Sequence, residues 1–247
     1  MPLVLLIAPS GYGKTTALSQ WGEEDDRSFA WVNLDESDND PISLLGHIAQ
    51  ALHQIHRVDE AVWRALASPN VSPLGVVVPR LVASATASGV PWVLVLDDFH
   101  VLTGTIGLGL VIALANDLPS GCHLVVASRS RPGLRLGQLR SRGMLVEFGT
   151  HDLGFTEDEA YAVLSGMGIG LPRDAVAALV RRTEGWPAGV YLAALSVHGT
   201  VDEAAAAARV TGTDKFIVDY FRDEVLIRES AKAVRFVSIV ASVLALL

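Results

Sequence analysis

The chain has 247 residues, half of them hydrophobic, and a formal net charge of −8. That length supports one large domain or two smaller ones around a substantial core. The acid balance excludes a chain-wide electrostatic footprint for DNA or an anionic membrane, and the single cysteine, Cys122, excludes an internal disulfide and fits a reducing cytoplasm.

The amino terminus is apolar but has neither a basic region nor a cleavage site, so it does not read as a signal peptide. Leu3-Val4-Leu5-Leu6-Ile7 predicts a strand that breaks into Ala8-Pro9-Ser10-Gly11-Tyr12-Gly13-Lys14-Thr15-Thr16 and then a helix from Thr15 to Trp21. Strand, glycine-rich turn and Gly-Lys-Thr in that order read as a phosphate loop. Glycines let successive backbone N–H groups converge on phosphate oxygens, and the helix adds the positive end of its dipole. In such a loop Lys14 serves the β- and γ-phosphates as a mobile point charge, and the Thr15 hydroxyl is a ligand for Mg²⁺. Ala8 stands where the first glycine of the G-x-x-x-x-G-K-[ST] pattern belongs.

Residues 28–34 predict a second, half-buried strand. After the polar loop Asp35-Glu36-Ser37-Asp38-Asn39-Asp40-Pro41, Pro41 suits the first position of a helix, Ile42 to Ile55, with Leu44, Leu45, Ile48 and Leu52 on one face. Residues 59–73 read as a broken helix and a turn. Leu74 to Ser88 reads as one helix, with Pro79 in its first turn or at a kink.

Trp92-Val93-Leu94-Val95-Leu96-Asp97-Asp98-Phe99-His100 is the second diagnostic segment. A continuous apolar run bounded by turns marks a strand buried on both faces of a parallel sheet, and it delivers two carboxylates to the edge where ligands bind in open α/β folds. Asp97 is placed to hold Mg²⁺ through water. Asp98 either positions and activates an attacking water or caps a solvated turn. Glycines 104, 107 and 109 obscure the next stretch, although Leu110 to Leu118 reads as helix. Cys122 to Arg129 is a further buried strand, whose terminal Arg129 either reaches a γ-phosphate or pairs with an acidic neighbour. Residues 144–148 predict the last strand.

Beyond residue 151 the pattern becomes helical. Thr156-Glu157-Asp158-Glu159 is a capping box, and helices are expected at about 157–166, 173–183 and 187–197, with Glu184-Gly185-Trp186-Pro187 between the last two. Residues 203–208 are alanine-rich, and Asp214 to Ile227 is strongly amphipathic. The apolar end, Phe236 to Leu247, is too short to span a bilayer and reads as a packed segment. The fold class is α/β: a parallel P-loop sheet followed by a helical piece.

Taken in order, the phosphate loop, Trp31-Val32-Asn33-Leu34-Asp35, Asp38-Asn39-Asp40-Pro41, Val95-Leu96-Asp97-Asp98-Phe99-His100, Ala127-Ser128-Arg129 and Thr183-Glu184-Gly185-Trp186-Pro187-Ala188-Gly189 resemble the STAND class of signalling P-loop ATPases. Within it the chain resembles the ATPase module of the large ATP-binding LuxR-type, MalT-like transcriptional regulators. The resemblance implies a P-loop NTPase domain of AAA+/STAND type at 1–151, a helical domain at 152–213 and the start of a winged-helix region at 214–247. It implies that Ala8 is a usual residue of the loop, that Arg129 senses the γ-phosphate, and that Pro187 packs near adenine. Residues 8–16, Asp97, Arg129 and Pro187 would then bind ATP or ADP, Thr15 and Asp97 would hold Mg²⁺, and Asp98, Lys14 and Arg129 would serve a slow hydrolysis.

The same resemblance implies a cytoplasmic switch that self-associates with ATP, responds to an inducer sensed outside this chain, and reaches DNA only through a region not present here. A related module also follows a protein-kinase domain, so two parent proteins stay open. Two other readings compete. One is a small-molecule kinase built from the same loop and carboxylate; the other is an interaction module that keeps ADP as a structural cofactor.

Overall fold

The unbroken apolar runs at residues 3–7, 92–96 and 124–127 can be accommodated only where both faces of a sheet are covered, and that is where they lie. The structure, a computed structural model, describes residues 3–134, 136–200, 202–207, 209–210, 215–220 and 222–223. The strands β1 (Leu3–Ile7), β2 (Ser28–Asn33), β3 (Trp92–Asp97), β4 (His123–Ser128) and β5 (Leu145–Phe148) form one parallel sheet in the order β2-β3-β4-β1-β5. Alternation along the strands feeds two cores. Leu3, Leu5, Leu94, Leu96, Leu124 and Val126 enter the larger one, while Val4, Leu6, Val93, Val95, Val125 and Ala127 pack with Leu18 on the other face.

The helices between these strands are α1 (Lys14–Glu24), α2 (Pro41–Ile55), α3 (Glu60–Leu66), α4 (Val78–Thr86), α5 (Thr105–Asp117) and α6 (Leu136–Ser141), and the short α7 (Thr150–Leu153) follows β5. Pro41 does open α2, and the Asp40 carboxylate caps it by accepting from the Ile42 and Ser43 N–H groups at 3.1 and 2.8 Å. Leu44, Leu45, Ile48 and Leu52 are its buried face, as the spacing predicts.

Three details differ from the sequence expectation. The helix expected from Leu74 to Ser88 opens as a wide π-type turn over Pro73–Val77, in which the Val78 N–H reaches the Pro73 carbonyl, and only then becomes α4. Pro79 has no N–H to offer a regular turn, so the wide turn precedes it. Helix α5 starts at Thr105, five residues before the expected Leu110, because Gly107 lies buried within it rather than breaking it. Helices α6 and α7 were not foreseen; they are short, and α6 buries Leu136 and Leu139 against the larger core.

The chain divides into two compact units, Met1–Pro9 with Gly13–Leu153, and Ser10–Tyr12 with Gly154–Leu247. The second is all-helical where described: α8 (Glu157–Gly166), α9 (Arg173–Thr183), α10 (Pro187–Val197), α11 (Glu203–Ala207) and α12 (Lys215–Tyr220). Its core joins Ala160, Leu164, Val176, Leu179, Val190 and Ala193. Helix α9 ends with Glu184 and Gly185 both at positive φ, 52° and 73°, and the Gly185 carbonyl accepts from the Phe155 N–H at 2.8 Å. A β-carbon at Gly185 would stand 2.9 Å from the Phe155 carbonyl oxygen, so this turn requires glycine. The winged-helix segment expected at 214–247 lies outside the described residues except for 215–220 and 222–223.

Candidate nucleotide site

The carboxyl ends of β1, β3 and β4 sit side by side because β4 lies between the other two, and all three motifs are carried there. Ala8, buried just past β1, donates its N–H to the Ser128 carbonyl at 3.2 Å. Gly13, at φ 70°, precedes α1 in a left-handed conformation and frees the chain to turn directly into the helix.

Lys14, the first residue of α1, is only 9% exposed. Its ammonium folds back on the loop, donating to the carbonyls of Ala8 at 2.7 Å and Pro9 at 3.1 Å. Burial holds its pKa below the ordinary lysine value; the charge of Asp97 opposes that fall, Arg129 adds to it, and Asp98 opposes it. Thr15 Oγ1 donates to Asp97 Oδ2 at 2.7 Å. Asp97 is itself buried, and its other oxygen accepts from the Asp98 N–H at 2.8 Å. A hydroxyl and a carboxylate oxygen so close together are hard donors of the kind that Mg²⁺ takes alongside phosphate oxygens and water. Among the described residues no group of three or more His, Cys, Asp or Glu forms an all-protein metal cage.

Asp98 is a non-glycine residue at φ 52°, with its side chain 46% exposed. Its Oδ1 stands 3.7 Å from His100 Nδ1 and 4.0 Å from Arg129 Nε. Of the two alternatives left open for Arg129, the acidic neighbour is present as Asp98, and the guanidinium is also close enough to Lys14 of the phosphate loop for its charge to act on it. His100 is the participant that sequence reasoning did not single out, although the motif that ends β3 contains it.

Residues 8, 9, 13–16, 97, 98 and 129 thus belong to the first unit, where Lys14, Thr15, Asp97, Asp98 and Arg129 are linked by these bonds and charges; Thr16 is exposed. Ser10–Tyr12 group with the second unit, where the Trp186 Nε1 donates to the Ser10 carbonyl at 3.1 Å, Tyr220 OH to Ser10 Oγ at 3.0 Å, and the Ala188 N–H to the Gly11 carbonyl at 3.1 Å. Pro187 is the first residue of α10. An open groove of about 990 Å³ runs along α3 and α4 and shares no residue with this site.

No protein-family profile matches the chain. It is 33% identical over 232 residues to the serine/threonine-protein kinase PknK of Mycobacterium tuberculosis, covering 91% of this chain and 21% of that protein. It is 30% identical over 240 residues to the HTH-type transcriptional regulator MalT of Serratia proteamaculans, covering 95% of this chain and 26% of the regulator. The chain therefore spans about a quarter or less of these curated relatives. Among solved structures, a Walker-type ATPase of Pyrococcus abyssi superposes with a TM-score of 0.55 at 15% identity, over 92% of this chain and 71% of that one, which shows the shared P-loop fold.

Proposed function

Because the chain is a MalT-like P-loop ATPase module, homologous to part of a transcriptional regulator and part of a protein kinase, we propose that it is the nucleotide-controlled switch of a larger signalling protein. The observation that carries this reading is the junction of Thr15 with Asp97, 2.7 Å apart, beside a buried Lys14. Residues 8–16 bind the phosphates of ATP or ADP, Lys14 meets the β- and γ-phosphates, and Thr15 and Asp97 hold Mg²⁺, which when bound neutralises charge on the phosphates. Asp98, beside His100, orients and deprotonates the attacking water, and Arg129 registers the γ-phosphate. Pro187 packs near the adenine.

Hydrolysis is slow in this reading and resets the switch, so ATP acts by shifting populations more than by driving turnover. The ATP state self-associates, and an inducer outside this chain biases the equilibrium. Any DNA contact belongs to a region beyond these residues, and the setting is cytoplasmic; no helix among the described residues is long and apolar enough to cross a membrane. The domains are residues 1–151, 152–213 and the start of a winged helix at 214–247. The likeness to PknK supports a second parent protein, a kinase-fused regulator, carrying the same module.

The test is Mg-ATP binding and single-turnover hydrolysis in the wild type, Lys14→Ala and Asp98→Asn. The expected pattern is lost affinity in the first variant and retained affinity with lost hydrolysis in the second. Unchanged nucleotide affinity in Lys14→Ala would sink the site assignment. Phosphoryl transfer to a small metabolite faster than to water would replace the switch with a kinase.

A further inference from the structure

The Asp38-Asn39-Asp40-Pro41 stretch marks the resemblance, yet none of its residues has a part in the nucleotide chemistry described so far. In the structure its polar side chains do three different things. Asp38 is fully buried, with Oδ1 on His47 Nδ1 at 2.7 Å and Oδ2 accepting from the Asp35 N–H at 2.9 Å. Asp40 caps α2. Asn39 alone reaches far along the chain. Its Nδ2 donates to the Val101 carbonyl at 3.0 Å and to the Glu36 carbonyl at 3.2 Å. Its Oδ1 accepts from the Thr103 N–H at 2.9 Å, the Thr103 hydroxyl at 3.3 Å and the Gly104 N–H at 3.3 Å.

We infer that Asn39 is a positioning residue for Asp98, fixing the far end of the turn on which that carboxylate is mounted. Asp98 occupies a left-handed backbone conformation, which Asp adopts more readily than most residues but still at a cost, so bonds on either side of it matter for holding the turn. The near side is held by the Asp97 carboxylate on the Asp98 N–H. On the far side the Asp98 carbonyl accepts from the Val101 N–H at 3.1 Å, closing a 3₁₀ turn over Phe99–Val101. The carbonyl of that same Val101 is bound by Asn39, and the N–H groups of Thr103 and Gly104 converge on the Asn39 oxygen. One residue, Val101, therefore links the Asn39 amide to the strained Asp98. The chain from 101 to 104 cannot shift relative to Asn39, two residues before α2, without breaking these bonds, and a shift there rotates Asp98 against His100 and Arg129. An amide is needed because the site asks for a donor and an acceptor from one short side chain.

This role rests on the reading of Asp98 as the group that activates water. The experiment is a double-mutant cycle in the 247-residue chain between Asn39→Ala and Asp98→Asn, reading single-turnover hydrolysis, Mg-ATP affinity and thermal unfolding. Misplacing a reacting group by about 1 Å costs on the order of 10²-fold, so Asn39→Ala is expected to lower the hydrolysis rate roughly 10- to 100-fold while affinity stays within about twofold. In the Asp98→Asn background the same change is expected to do nothing further, since both act on one group.

Equal losses from Asn39→Ala with and without the Asp98 carboxylate overturn the inference, as does unchanged hydrolysis in Asn39→Ala when Asp98→Asn is impaired. Full hydrolysis in Asp98→Asn overturns the reading beneath it, and the positioning role falls with it. Should Asn39→Ala fail to fold, Asn39→Asp keeps the acceptor for Thr103 and Gly104 and is expected to give an intermediate rate; wild-type turnover from it overturns the role of the Nδ2 donor.

Discussion

Lys14→Met separates what the lysine does for the empty protein from what it does for phosphate. In the free protein the ammonium is 9% exposed and makes two charge-assisted bonds to carbonyls, at 2.7 and 3.1 Å. Each such bond is worth about 1.5–3 kcal/mol, while removing an ammonium from water costs several kcal/mol. The lowered pKa says that burial, with Arg129 beside it, outweighs the attraction of Asp97 and Asp98. A methionine of similar length removes both sides of that balance, so the free variant is expected within about 1 kcal/mol of wild type.

Phosphate binding is different, because there the charge is the contact. A loss of about 2.7 kcal/mol there raises Kd roughly 100-fold. At a free Mg-ATP concentration about 100 times the wild-type Kd, ligand stabilises the wild type by about 2.7 kcal/mol and the variant by about 0.4 kcal/mol. For a chain of this size that is a rise in Tm of roughly 5–11 °C against about 1 °C, read by thermal unfolding with and without nucleotide. A full ligand-induced rise in Lys14→Met refutes the phosphate role. A free variant weakened by more than about 3 kcal/mol refutes the stated balance of burial and bonding.

The same lysine sets a pH dependence. Its folded pKa lies below the ordinary 10.5, so between the two values the unfolded chain holds more protons. The free wild type therefore gains stability, relative to Lys14→Met, as pH rises through that window, and its affinity for nucleotide falls over the same range because phosphate favours the charged lysine. Three further changes probe the scaffold, each read as a urea midpoint. In Thr156→Ala the capping box is lost, in which Thr156 Oγ1 accepts from the Glu159 N–H and Glu159 Oε2 from the Thr156 N–H; the cost is about 1 kcal/mol at neutral pH. The Thr156 N–H and then its hydroxyl, both donating to Glu159 Oε2, lower the Glu159 pKa, and alanine keeps the first bond but loses the second, so that part of the deficit shrinks as pH falls from 4.5 through the lowered value. Burial, then Arg27, holds the His123 pKa below 6.5, with the Gly121 carbonyl and Asp25 opposing; acidification below 6.5 costs stability, and His123→Gln flattens that loss. Gly185→Ala, at φ 73° and against the Phe155 carbonyl, is expected to cost roughly 1–3 kcal/mol.

How much could be read in advance depends on which signals are local. Strands β1, β3 and β4 were legible because burial on both faces demands an unbroken apolar run. The start of α2 was legible because Asp40 and Pro41 act on their own neighbours. Helix α5 was foreshortened for the opposite reason: apolar nearly all round, it has no periodicity to mark its start, and its glycines argue against a helix that packing nonetheless forms. Helices α6 and α7 carry too few residues to leave a pattern.

The site divides in the same way. Ala8, Lys14, Thr15 and Asp97 lie in contiguous motifs whose spacing carries their chemistry. The place of Arg129 beside Asp98 is instead a consequence of strand order, fixed by pairings such as Leu96 with Val126 that no segment encodes alone. Asn39 is further removed still, since its partners in that turn begin 62 residues later and are mostly backbone groups, which almost any sequence would supply. A motif that binds nucleotide can thus be recognised from its own residues. The residue proposed to position Asp98 becomes visible only once β2 and β3 are side by side, because that pairing brings the loops after them within reach of one amide.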